Sequence, residues 1–248
     1  GSLYTDKSVL KIAFLYERTI ENSTWAYSHE LGRNYIQEKF HNRIETRCWQ
    51  NCSSEEKLQE GIKEAVLWGA KVIFTTAPFM AQESVKAALE YPELHILNCS
   101  VNTSYNSIRT YYGRMYEAKF LMGALAASIT DGNNLGYVEQ FPLYGTVSNI
   151  NAFAIGAQFI NPWAKIHLSW NGLINANWKE EFRRKEIHTI SGPEFSKPFE
   201  HSREFGLYIG SNGEVGFNVA AAVYNWGKYY EMIIHSILEG NYDTSSLA

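Results

Sequence analysis

Cysteine is scarce in this chain. Cys48, Cys52 and Cys99 cannot all pair with one another, and their spacing matches no four-ligand zinc pattern, so they read as structural thiols. Long apolar runs are absent too: no stretch approaches the roughly 20 residues that cross a bilayer. Positive charge is in short supply. Lysine and arginine number 22 against 26 aspartates and glutamates, a net charge of −4, which removes the basic footprint of a nucleic-acid binder. The sequence lacks GxGxxG, a Walker loop, HExxH and a GxSxG elbow. Its seven histidines are scattered without ligand spacing. His29-Glu30 has no second histidine and reads as a surface or capping pair. Glu180-Glu181 belongs to the run EEFRRKE, an ordinary solvated face. No cofactor or metal is called for, and catalysis has no positive support. Gly1-Ser2 reads as an expression remnant, so the missing targeting segment says nothing about localisation.

Aromatic residues, by contrast, are plentiful at 15%, with 16 tyrosines and 7 tryptophans. They either fill the core or build a stacking site for a flat or sugar-like ligand. A length of 248 residues allows one large domain or two lobes. Lys11–Tyr16 (KIAFLY) has the composition of a buried strand, followed by a polar loop over Glu17–Thr24 and a helix from Trp25 to Phe40. Ile44–Trp49 is a second strand. Ser53 and Glu56 form a capping box for a helix that turns Leu58, Ile62, Ala65 and Val66 to one side. Val72–Thr76 and Leu94–Cys99 are further strands, with a helix over Ala81–Glu90 between them. Such alternation predicts a parallel sheet with helices on both faces, whose ligands bind beyond the carboxyl ends of the strands.

At mid-chain, Thr110–Arg114 predicts a short strand, and Phe120, Leu121, Ala124 and Ala127 mark a helix that stops at Thr-Asp-Gly-Asn-Asn. Leu135–Glu139 is a new strand, and Ile150, Phe153, Ala154 and Ala157 mark a helix ended by Asn161-Pro162. The pattern then loosens: strands at Lys165–Trp170, Glu186–Ser191 and Leu207–Gly210, helices at Trp178–Arg184 and Ser196–Phe205, and a glycine-rich segment over Ser211–Asn218. A last helix, Tyr224–Leu238, stops at Gly240. The fold class expected is α/β and two-lobed, each lobe a parallel sheet with helices on both faces. Residues 3–130 with 222–248 form the first lobe and 131–221 the second, and the cleft between them is the favoured place for a small molecule. Asn22 with Trp25, Phe79, Phe141 and Trp178 set aromatics beside amides near predicted strand ends. For each aromatic alone, core packing and ligand contact are equal readings.

The blocks YYGRMYEAKFLMGALAA, NINAFAIGAQFINP, WAYSHELGR and NWGKYYEMIIHSILEG together resemble the basic membrane protein family, bacterial substrate-binding lipoproteins for purines and purine nucleosides. The likeness covers nearly the whole chain and implies a type 1 periplasmic-binding-protein fold that closes on its ligand. It implies as partner an ABC permease or, given the early ending at Ala248, a fused signalling domain. It also implies an extracytoplasmic, membrane-anchored location, with the cytoplasm as the alternative and any membrane association made through a segment outside this chain. By position, Trp25 matches the family's aromatic after strand one, and Asn22 stands where an aspartate is usual. Ser100, in Asn98-Cys99-Ser100, occupies the place of the aspartate that holds ribose, which favours a free base such as adenine over a nucleoside. Trp178 resembles a second-lobe aromatic, and Glu194, Asn212 and Glu214 fall near later polar contacts. The expected function is purine binding by an importer's substrate-binding component or a sensor's ligand module. The alternatives are a nucleoside or non-purine ligand, or an enzyme acting on nucleosides.

Overall fold

A computed structural model describes residues 8–100, 107–142, 145–172, 177–194, 202–211 and 214–242. The chain forms two compact units: one runs to Gly113 and resumes at Asn225, and the other spans Arg114–Tyr224.

The first unit follows the βα alternation of the sequence. Its elements are β1 (Leu10–Leu15), α1 (Thr24–Phe40), β2 (Ile44–Trp49), α2 (Glu55–Trp68), β3 (Val72–Thr75), α3 (Ala81–Glu90), β4 (His95–Cys99) and β5 (Arg109–Tyr111). The strands pair in the order β2-β1-β3-β4-β5, all parallel. Every residue of β3 is buried, as befits a strand covered on both faces. Ala13, Leu15 and Ile73 pack under α2 and α3. Phe14 and Phe74 stack at 5.0 Å on the opposite face. The cap of α2 is Ser54, whose hydroxyl accepts from Lys57 N; the helix starts one residue later than a Ser53 cap would place it, and it ends at Gly69 in the left-handed region (φ 103°).

In the second unit, α4 (Met115–Ile129), β6 (Asn134–Glu139), α5 (Thr146–Ile160), β7 (Lys165–Trp170), α6 (Trp178–Arg184), β8 (Thr189–Ser191), β9 (Leu207–Ser211) and β10 (Glu214–Ala220) build a sheet of order β10-β9-β8-β6-β7. Its β7-β6-β8 part is parallel, while β9 and β10 pair antiparallel. The glycine-rich segment, to which the sequence assigns no element, thus supplies a strand. The helix expected over 196–205 falls mostly outside the described residues, and 202–205 are not helical. Both α4 and α5 pack on the sheet face that carries Leu135 and Tyr137. The other face carries Val138 with Phe182 of α6, Ile190 and Tyr208. The units divide before α4, not after it, because that helix touches α5 backbone to backbone: a Cβ on Gly123 would lie 1.9 Å from Phe153 O.

The chain returns to the first unit through α7 (Trp226–Leu238). This helix packs on α1 where glycine permits close approach, since a Cβ on Gly32 would sit 2.9 Å from the Tyr230 ring. The Tyr230 hydroxyl lies 2.5 Å from His29 Nδ1 and 2.8 Å from the Tyr111 hydroxyl, beneath a ring that meets Phe14 edge-on.

Candidate functional site

In a parallel sheet the loops beyond the carboxyl ends are where side chains gather around a ligand. At that edge of the first unit, Ser23 caps α1 by accepting from Ala26 N, which fixes the first turn and with it Trp25. The indole Nε1 donates to Thr76 O at 2.8 Å, just past the end of β3. The ring is half-buried, edge-on to Trp226 at 5.7 Å and to His29 at 5.0 Å. The ring of Tyr112, immediately after β5, lies 6.5 Å from the Trp25 ring and is tilted by 32°. Asn22 is exposed, its backbone N–H donating to the Thr19 hydroxyl. Phe79 follows β3 in a short 3-10 turn and is 55% exposed. Ser100, immediately after β4, is buried, with no hydrogen-bond partner for its hydroxyl among the described residues.

Two residues at this edge escape a sequence reading. Tyr112 belongs to a tyrosine run that reads only as strand. Glu17 reads as part of a polar loop, yet it is buried two residues after β1. Its Oε1 accepts from the Ser23 hydroxyl at 2.5 Å, and its Oε2 has no partner among the described residues. Burial raises its pKa, opposed by the Ser23 hydrogen bond. The expectation of a surface or capping pair at His29-Glu30 is corrected. Both residues are buried: Glu30 accepts from the Tyr16 hydroxyl and Arg33, and burial pushes the His29 pKa well down. No group of three or more potential ligands to a metal occurs among the described residues.

The corresponding edge of the second unit carries a buried ionic cluster. Lys119, on the inward face of α4, has a side chain 1% exposed, and its Nζ lies 3.0 Å from Glu194 Oε1, three residues beyond β8. The same ammonium stands 5.2 Å from the Tyr137 ring centroid. Burial disfavours its charge, but Glu194 and other acidic neighbours outweigh that penalty, so its pKa lies above the usual lysine range. Glu139, the last residue of β6, is pushed up to about 8 by burial and then by Glu194, with Lys119 opposing. Tyr137 and Ser191 are register partners on β6 and β8, and both hydroxyls are buried without a partner among the described residues. Phe141 follows β6 and rests against Gly172, where a Cβ would sit 2.6 Å from the ring.

Glu139 makes a testable pH dependence. Its folded pKa lies above the unfolded value of 4.5, so the native state keeps a proton that the unfolded chain releases. That contribution is complete below about pH 4.5 and is lost as pH rises through about 8. Glu139→Gln should therefore gain urea stability relative to the parent as pH rises across this window. Identical pH profiles for the two proteins would show that the proton is not held.

Trp178 and Glu214 are brought together, but elsewhere: with Phe182, Tyr208, Lys179 and Glu204 they line a cavity of about 270 Å³ beneath α6. The Trp178 ring packs edge-on against Phe182 at 5.5 Å. Neither Phe141 nor Glu194 lines that cavity. Asn212 lies outside the described residues.

These two α/β units, with their parallel-dominated five-stranded sheets, have the type 1 periplasmic-binding-protein fold of ABC solute-binding proteins. A solved solute-binding protein of an ABC transporter system from Conexibacter woesei superposes with a TM-score of 0.69 at 11% identity, covering 95% of this chain and 83% of that one. The chain belongs to the Bmp family of PnrA-like ABC transporter substrate-binding proteins, which matches residues 9–181. A purine-binding protein from Brucella abortus is 24% identical over 96% of this chain and 71% of its own length. A Haloferax volcanii protein, provisionally described as an ABC transporter glucose-binding protein, is 24% identical over 98% of this chain and 64% of its own length. Members of the family are solute-binding proteins, typically extracytoplasmic, with a small-molecule ligand and a permease partner. No helix among the described residues is long and apolar enough to cross a membrane.

Proposed function

We propose that this protein binds a purine, as a free base such as adenine in preference to a nucleoside, and delivers it to an ABC permease. The observation that carries the proposal is the pair of half-exposed rings, Trp25 and Tyr112, 6.5 Å apart and tilted by 32° at the carboxyl edge of the first sheet. A flat ring held between two others needs their centroids about 7 Å apart, twice a carbon–carbon contact. A small opening of this pair provides that. Phe79 offers a further face, and Asn22 both donates and accepts at a ring edge. The unpartnered oxygens of Glu17 and Ser100 at the same edge suit the donors of an exocyclic amine and a ring N–H. Ser100 in place of an aspartate removes the partner a ribose would use. On the second unit, Phe141 and Glu194 stand at the corresponding sheet edge as further candidate ligand groups. Trp178 and Glu214 are not assigned to the ligand, since they surround the cavity under α6. The Brucella relative's description as a purine-binding protein supports the same ligand class.

The Haloferax relative favours a second reading, a sugar ligand stacked on the same aromatics. Calorimetry against adenine, guanine, hypoxanthine, adenosine and glucose separates the two. Heat with a free base and none with glucose is expected; silence toward every purine would end the proposal. Trp25→Ala should weaken purine binding by about 1–3 kcal/mol, the cost of losing one stacking face. Unchanged affinity would mean that Trp25 serves the core alone.

A further inference from the structure

The two helices on the Leu135 face of the second unit are nearly as apolar outside as inside. On α4, Leu121 is 67% exposed and Leu125, one turn later, also faces solvent. On α5, Ile155 and Phe159, one turn apart, are 60% and 76% exposed, and Ile160 and Trp163, next along the chain, are 48% and 76% exposed. The Phe120 and Phe159 rings are 6.2 Å apart, which joins the two ridges into one patch. The whole of α5, TVSNINAFAIGAQFI, contains no charged side chain. A helix apolar all round is ordinarily covered, and a contiguous exposed patch of this size marks an interaction surface.

We infer that this α4–α5 face joins two copies of the chain in a two-fold symmetric dimer. The area is right. Two aromatics of roughly 150–250 Å² each, three-quarters exposed, and four aliphatic side chains about half exposed present roughly 500 Å² of apolar surface. That matches the apolar share of a standard interface, which buries about 800 Å² per partner. The charge pattern selects the occupant. A two-fold contact sets the same patch against itself, so charge within it is costly; α5 supplies none, and on α4 the nearest exposed charge, Glu117 one turn before Leu121, is paired with Arg114 at the end of the helix. A membrane-lying helix would instead carry lysine and arginine along its polar margin, and α5 has none.

Sedimentation velocity on the full chain from micromolar to high micromolar concentration tests the inference. The parent protein should sediment as a dimer. Phe159→Glu and Leu121→Glu, each at a well-exposed position, should raise the dimer dissociation constant on the order of a hundredfold, because symmetry places two charges in an apolar contact. Circular dichroism checks that both variants stay folded. Leu67→Glu on α2, a position 78% exposed, should leave the dimer intact. A parent protein that is monomeric throughout overturns the inference, whether or not it then floats with phosphatidylglycerol vesicles or captures another protein. A dimer that survives both α4 and α5 variants also overturns it.

Discussion

Replacing Gly156 by alanine is expected to destabilise the second unit by about 3 kcal/mol or more. The added methyl would stand 1.9 Å from Phe120 O and 2.8 Å from its carbonyl carbon, a clash with the backbone of α4 that no rotamer change relieves. Gly123 faces Phe153 O at the same distance, so the two helices touch at a mutual pair of glycines and neither side has slack. Helix propensity alone would push the other way, favouring alanine by about 1 kcal/mol within a helix. The sign of the change therefore decides between close packing and propensity. Urea unfolding followed by far-UV circular dichroism measures it. A lowered midpoint or loss of folding is expected for Gly156→Ala, and a raised midpoint would mean that α4 and α5 are further apart than described. Gly132→Ala makes the comparison: its φ of 88° is costly for alanine, but nothing lies within 4 Å of its Cβ. It should lose only about 1 kcal/mol.

The same pair of glycines explains where the sequence stops being informative. The first unit is legible because β1, β3 and β4 are short buried runs separated by capped, one-faced helices, and each of those signals is local. The position of the division between units is not local. Phe120, Leu121, Ala124 and Ala127 announce a helix, but whether it covers the first sheet or the second depends on a contact with α5 that no periodicity encodes. The antiparallel pairing of β9 and β10 has a sequence signal, Asn-Gly between segments of strand composition, which the surrounding glycines obscure.

Within the candidate site the pattern is similar. The positions of Trp25, Phe79, Ser100 and Phe141 are legible because the loops that carry them follow strands, and in an alternating fold that puts them at the carboxyl edge. Trp178 follows β7 and begins α6, yet its ring turns under the helix to Phe182, since a residue's place in the chain does not say which way its side chain packs. Glu17 and Lys119 are illegible for the opposite reason. A charged residue in a loop or a helix ordinarily faces water, and only the partner that tertiary structure supplies makes its burial possible.

Lys119 makes that dependence measurable. Lys119→Met should destabilise the second unit by roughly 3–5 kcal/mol at neutral pH, the usual cost of removing one partner from a buried ion pair. Methionine fills nearly the same volume with a flexible apolar chain, so lost packing contributes little. What is lost is the ammonium 3.0 Å from Glu194 Oε1, which also opposes the upward pull on Glu139. Without it, nothing opposes the upward pull of burial and of the Glu194 carboxylate on Glu139, and the folded state holds the Glu139 proton more tightly. A raised Glu139 pKa places that stability at low pH and withdraws it as pH rises. The deficit of Lys119→Met should thus be small near about pH 5 and grow toward about pH 8. Adding Glu194→Gln should recover part of it, because the amide removes the carboxylate charge that Lys119 no longer balances. A deficit that is constant with pH, or largest in acid, would mean that Lys119 acts through its hydrocarbon stem instead of its charge. If the purine proposal also holds, the double variant should fold again yet bind ligand less tightly than the parent, since the restored unit no longer presents Glu194 as a fixed carboxylate at the sheet edge.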